Sequence, residues 1–179
     1  MNQRLSLILF LLFLFFTNPM ISQGISVSDF PGTKEGLEAL LHSIIEASDD
    51  ERKEISQQLY PTLEDCEAIF DARLAKKVFK YQRKIHRQIR VVVKPHLEDQ
   101  TDILLWGVTT EELSDYMGDA KYFPGGYKEL AQYFQPQLTF YRFKFIQPGR
   151  YLGSAYDVIV YVNGQWKMIH RPWAVLFNW

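Results

Sequence analysis

An aspartate and a histidine near the C-terminus are the residues whose spacing could support acid–base chemistry. The segment AYDVIVYVNGQWKMIHRPWAVLF, residues 155–177, contains Asn163-Gly164, a strong signal for a two-residue hairpin turn. Counting away from this turn places Asp157 opposite His170, with Cβ atoms ~5 Å apart. A carboxylate at that distance would raise the pKa of the imidazole and orient its ring. The pair has the geometry of a general base, and equally that of a structural pair at the rim of a sheet.

The same register sorts the hairpin side chains onto two faces, because neighbouring residues of a strand point to opposite sides. One predicted face combines Asp157 and His170 with large, adaptable apolar side chains. Such a face could line a pocket. The predicted ligand-binding residues are Tyr141, Phe143, Tyr161, Trp166 and Met168.

Two periodicities predict the elements that position the hairpin. In the first half, apolar residues recur at helical spacing behind capping residues. Thr33 caps a first helix, Ser48 with Glu51 forms a capping box for a second, and Thr62 caps a long helix from Leu63 to about Arg90. Short helices are predicted at 110–117 and 127–134. Strands are predicted at 102–108, 138–146, 151–162 and 165–170, with a last edge strand in 173–177.

Basic residues dominate the C-terminal half of the long helix, on the face opposite its apolar line. The stripe consists of Lys76, Lys80, Arg83, Arg87 and Arg90, flanked by Lys77 and Lys84. This pattern is typical of a solvated helix surface. It is also typical of a surface that contacts an anionic membrane or an acidic partner. No aromatic residue belongs to the basic stripe itself, which argues against stacking on nucleic-acid bases.

The N-terminus has the pattern of a secretory signal peptide. A positive residue precedes the apolar run LSLILFLLFLFF at 5–16, and Ser22 and Gly24 fit the −3 and −1 positions of a cleavage site. The predicted organisation is a signal peptide at 1–24, an arm at 25–33 and one domain at 34–179. The expected location is the periplasm or the exterior, and an uncleaved N-terminal membrane anchor is the alternative.

Composition limits the function classes further. The chain has 179 residues, of which 47% are hydrophobic and 15% aromatic, enough for a single domain with a substantial core. The net charge of −1 lacks the basic excess expected of a nucleic-acid-binding domain. Cys66 is the only cysteine and the four histidines are scattered, so no zinc spacing is present. We therefore expect no metal, no cofactor and no nucleic-acid partner.

The predicted element order, helices followed by an antiparallel sheet, and the ending YVNGQWKMIHRPWAVL resemble exported members of the nuclear transport factor 2-like superfamily. The resemblance covers roughly residues 34–179. It implies an α+β, cystatin-like cone in which a curved antiparallel sheet wraps around the long helix and leaves a cavity open at one end. Members include isomerases and dehydratases that use a pocket aspartate or histidine, as well as non-enzymatic binding modules. The resemblance also implies that a homodimer could form through the outer face of the sheet.

Three functions are consistent with these features. The first is an exported, non-catalytic domain that binds a small apolar or amphipathic ligand, or a protein partner, through the aromatic sheet face. The second is an isomerase- or dehydratase-type enzyme with His170 as the base and Asp157 as its orienting group. The third is an envelope-associated adaptor that uses the basic stripe.

Overall fold

A four-stranded antiparallel sheet forms the centre of the protein in a computed structural model that describes residues 24–89 and 91–177. The strands follow one another in space in the same order as in the chain. They are β1 (Asp102–Thr109), β2 (Thr139–Ile146), β3 (Gly153–Val162) and β4 (Gln165–Met168). The predicted α+β class is confirmed. The predicted signal peptide, except for Gly24, and Arg90 lie outside the described residues.

Seven α-helices surround the sheet in the described part of the chain. They are α1 (Lys34–Glu46), α2 (Asp49–Gln58), α3 (Leu63–Ile69), α4 (Ala72–Ile89), α5 (Thr110–Asp115), α6 (Gly126–Leu130) and α7 (Ala174–Phe177). Single 3-10 turns cover Val27–Asp29, Gly118–Tyr122 and Ala131–Tyr133. The predicted caps are confirmed: Thr33 accepts a hydrogen bond from the backbone N–H of Gly36, and Ser48 and Thr62 each form a capping box with the residue three positions later.

The prediction of one continuous helix from Leu63 to about Arg90 is wrong, because the helix is interrupted between α3 and α4. Phe70 adopts an extended conformation and forms a β-bridge with Phe134. Asp71 then caps α4, since its carboxylate accepts hydrogen bonds from the backbone N–H groups of Arg73 and Leu74. The break lets Phe70 pack against Phe134 in the core, with ring centroids 5.2 Å apart.

Each face of the sheet carries its own hydrophobic core. On one side, α1 and α2 cover an aromatic face that includes Phe143, Phe145 and Trp166. On the other side, α3, α4, α5, α6 and α7 pack over a face that includes Phe140 and Val160. The sheet is thus the middle layer between two sets of helices, an arrangement that buries both of its faces.

The hairpin register is confirmed over its four pairs, from Val162 opposite Gln165 to Ile159 opposite Met168. Asn163 and Gly164 both have positive φ, as the two-residue turn requires. The predicted edge strand in 173–177 is wrong. Pro172 cannot donate a ladder hydrogen bond. The chain instead forms the short helix α7, in which Val175 is buried.

A buried ion pair fastens the hairpin to the helices. The Lys167 ammonium donates to the backbone carbonyls of Gln58 and Tyr60, at 2.9 and 3.2 Å, and lies 3.5 Å from the Asp65 carboxylate. Burial raises the pKa of Asp65, but hydrogen bonds from Thr62 and Asn163 and the charge of Lys167 together hold that pKa below its usual value. Both side chains of the pair are at least 95% shielded from solvent.

Candidate functional site

Asp157 does not share a face with Tyr161 and Trp166, because a β-bulge interrupts β3. Tyr141 pairs with Ile159 whereas Phe143 pairs with Tyr156, so two residues of β3 lie opposite the single residue Arg142. The bulge shifts the alternation by one position, and Tyr156 takes the place on the aromatic face that the register predicted for Asp157. Asp157 instead lines a pocket on the side of α4.

His170 also lies on the side of α4, where it meets a second histidine. The backbone N–H and carbonyl of His170 both bond to the side-chain amide of Gln82 in α4. Its ring stands edge-on to that of His86, with centroids 5.7 Å apart. Burial, together with the neighbouring His86, lowers the pKa of His170 to about 4. The prediction that Asp157 would raise this pKa is wrong.

Asp157 and His170 nevertheless border one pocket of about 240 Å³. Within the described part of the chain, their side chains form neither a hydrogen bond nor an ion pair with each other. Burial raises the pKa of Asp157, and the charges of Arg142 and Arg171 oppose that shift. The remaining wall is largely apolar and comes from Tyr81, Ile85 and Val91, with Arg171 at its edge.

A larger pocket of about 560 Å³ borders His86 and is also lined by Lys53, Gln57, Tyr60 and Val92. The ring of Tyr60 stacks on that of His86 with centroids 3.5 Å apart. Both imidazole nitrogens of His86 are buried without a hydrogen-bond partner among the described residues. Burial lowers the pKa of His86 to about 4, so the ring is neutral at pH 7.

The predicted ligand-binding residues belong to the core on the side of α1. One face of the sheet does carry the predicted set, namely Ile159, Tyr161, Trp166 and Met168 together with Tyr141 and Phe143. However, Phe143, Trp166 and Met168 are at most 1% exposed, and the apolar stripe of α1 packs over them. This face is therefore filled by the protein's own helix. A ligand role for these residues stays a prediction that the packing does not favour.

The outer face of α4 is basic along its full length. We call its exposed cations the basic face: Arg73, Lys76, Lys77, Lys80, Arg83, Lys84 and Arg87. Helix α4 contains no acidic residue. Arg73 pairs with Asp71, while the other six cations form no ion pair with any described residue. Lys80, Arg83, Lys84 and Arg87 frame a shallow depression of about 330 Å³.

Sequence reasoning missed two residues near Asp157 and His170: His86, whose ring contacts that of His170, and Arg171, which lines the pocket beside Asp157. His86 lies one helical turn after the buried Gln82, on the inner side of α4. This helical spacing is the sequence signal from which the inward position of His86 could have been predicted. Arg171 has a positive φ of 42°, which redirects the chain after His170. Nothing local in the sequence predicts that conformation for an arginine.

Comparison with known proteins gave no match to a family model, to a curated protein or to a solved structure. The cone-like superfamily therefore stays a prediction, as does the homodimer. Of the helices in the described part of the chain, none has the length and apolar character needed to cross a bilayer.

Proposed function

We propose that the protein is an exported, non-catalytic domain that binds an anionic phospholipid surface through the basic face of α4. The single observation that carries this proposal is the row of exposed cations on one side of a helix that has no acidic residue. From Arg73 to Arg87 the row is roughly 21 Å long at the rise of an α-helix. Such a length spans several lipid headgroups.

The charge distribution supports this proposal. Because the chain has a net charge of −1 and α4 contributes +7, the rest of the chain carries −8. Helix α4 thus concentrates positive charge on a protein that is otherwise acidic. A nearby anionic surface would orient the molecule with α4 towards it, since each Lys or Arg close to such a membrane contributes about 1 kcal/mol.

A membrane fits the basic face better than an acidic protein does. The cations are borne on long, flexible side chains, and six of them are not fixed by an ion pair within the described residues. Flexible point charges suit a laterally mobile array of phosphates, whereas specific protein interfaces usually include buried aromatic or apolar anchors. The apolar run at residues 5–16 is predicted to direct the chain to export, and export brings the chain to a membrane surface.

An enzyme using His170 and Asp157 is less consistent with the geometry. The two side chains form no hydrogen bond with each other, so Asp157 does not orient the imidazole. An imidazole with a pKa of about 4 is also a weak base at neutral pH. We therefore assign these residues no catalytic step.

Vesicle co-sedimentation of the full chain tests the proposal. The test variant is Lys80→Glu/Lys84→Glu/Arg87→Glu, and its matched control is Lys34→Glu/Lys121→Glu/Arg150→Glu. All six residues are exposed, and both variants change the net charge equally. Residues 5–16 are common to all three proteins, so a difference between them reports on α4. Equal binding by the two variants to anionic vesicles would contradict the proposal. Strong binding to acidic proteins with none to vesicles would point to a protein partner instead.

A further inference from the structure

The pocket beside Asp157 has polar groups of opposite charge on a mostly apolar wall. Its volume of about 240 Å³ corresponds to roughly eight water molecules. A ligand that fills it has about that number of non-hydrogen atoms, fewer than the drug-sized ligands of typical pockets. The pocket lies between α4, the segment that follows α4, and the ends of the β3–β4 hairpin.

The Asp157 carboxylate supplies a hydrogen-bond acceptor that none of the described residues uses. It is half-buried, and it forms no hydrogen bond or ion pair with any described residue, although nearby arginines influence it. A partly desolvated carboxylate without a direct partner is costly, and a ligand ammonium group would offset that cost. The neutral imidazole of His170 borders the same pocket and can accept a second hydrogen bond from such a group.

Arg171 supplies the complementary cation. Its side chain is exposed at the edge of the pocket, and its guanidinium can bind a carboxylate through two parallel hydrogen bonds. The φ of Arg171 is positive and therefore outside the range of a β-strand, so the chain turns away from the direction of β4 at this residue. Arg171 consequently lies beside the pocket. Arg142, the other cation near Asp157, already donates to the backbone carbonyl of Tyr122.

We propose that this pocket binds a free α-amino acid with an apolar side chain, with Asp157 and His170 holding the ammonium group and Arg171 the carboxylate. The side chain would lie against Tyr81, Ile85 and Val91. The zwitterion is favoured over a simple amine or a simple acid because only the zwitterion satisfies both charged ends of the pocket. This site lies on the inner side of α4 and is independent of the basic face.

Equilibrium binding to the full-length protein tests this inference with three probes. Leucine carries both charged groups, 4-methylpentanoate lacks the ammonium, and 3-methylbutylamine lacks the carboxylate. We expect leucine to bind at least tenfold more tightly than either analogue. Asp157→Asn should weaken leucine binding about tenfold and leave the acid unaffected, while Arg171→Gln should weaken leucine binding and leave the amine unaffected.

Two exposed residues away from the pocket provide matched controls, Asp102→Asn and Arg150→Gln, which should bind leucine like the wild type. Circular dichroism verifies that each variant is folded. The inference is overturned if the wild type shows no saturable leucine binding. It is also overturned if the three probes bind equally, or if the pocket variants behave like the controls. Vesicle binding is measured separately, so failure here leaves the proposed function standing.

Discussion

Replacing Lys167 with methionine should destabilise the protein strongly, because Lys167 joins three separate groups in the core. The substitution removes the cation 3.5 Å from Asp65 and leaves the carbonyls of Gln58 and Tyr60 without their donor. Breaking a buried ion pair from one side costs about 3–5 kcal/mol. Asp65 keeps its hydrogen bonds to Thr62 and Asn163, so we expect the lower end, about 3 kcal/mol.

Urea unfolding followed by tryptophan fluorescence measures this loss, and thermal unfolding should show a midpoint roughly 6–12 °C lower. Lys34→Met is the matched control, since Lys34 forms an exposed pair with Glu38 at 3.9 Å. That variant should remain within about 0.5 kcal/mol of the wild type. Adding Asp65→Asn to Lys167→Met should cost less than the sum of the single changes. The reasoning fails if Lys167→Met and Lys34→Met lower the unfolding free energy equally.

Three further predictions concern the cores and the histidine pair. Because the pKa values of His86 and His170 are lowered to about 4, the unfolding free energy should fall as the pH drops from about 6.5 to about 4. The unfolded chain takes up protons in this range that the folded chain excludes. We expect a loss of roughly 1–3 kcal/mol, because water partly screens both rings. In urea titrations, the unfolding free energy of His86→Gln/His170→Gln should depend less on pH. The control is His42→Gln, which replaces an exposed histidine, and an equal pH dependence for the two variants would refute the interpretation. Phe143→Ala should cost about 3–5 kcal/mol, whereas Phe177→Ala, at 69% exposure, should cost under about 0.5 kcal/mol. Similar losses for both would mean that the aromatic face is not packed as described. Burial, with the charges of Asp65 and Glu67, raises the pKa of the Cys66 thiol to about 12, so a thiol reagent should label it only after unfolding. Rapid labelling of the folded protein at pH 8 would contradict this.

Local features of the fold could be predicted from the sequence. A capping box requires only residues three positions apart, and the Asn163-Gly164 turn determines the register of its own hairpin. The exposed cations of α4 follow from helical periodicity in the same way. Each of these features depends only on residues that are close together in the sequence.

Features that depend on distant contacts could not be predicted. The break after Phe70 is stabilised by Phe134, which is far away in the chain. The bulge that moves Asp157 off the aromatic face arises where β3 pairs with β2, and not in the hairpin from which the register was counted. The contact between His86 and His170 likewise joins two distant segments. Of these, the bulge is the feature that places Asp157 beside the pocket.

The most direct test of the proposed function is the ratio of vesicle partition coefficients between the two charge-reversal variants. Removing three cations near an anionic surface costs about 3 kcal/mol at about 1 kcal/mol each, and reversing them costs more. Relative to wild type, we therefore predict a loss of more than about 100-fold for Lys80→Glu/Lys84→Glu/Arg87→Glu on vesicles containing phosphatidylglycerol. The control Lys34→Glu/Lys121→Glu/Arg150→Glu should lose far less, and neither variant should differ from wild type on phosphatidylcholine alone. Equal losses for the two variants on the anionic vesicles would show that α4 is not the contact surface.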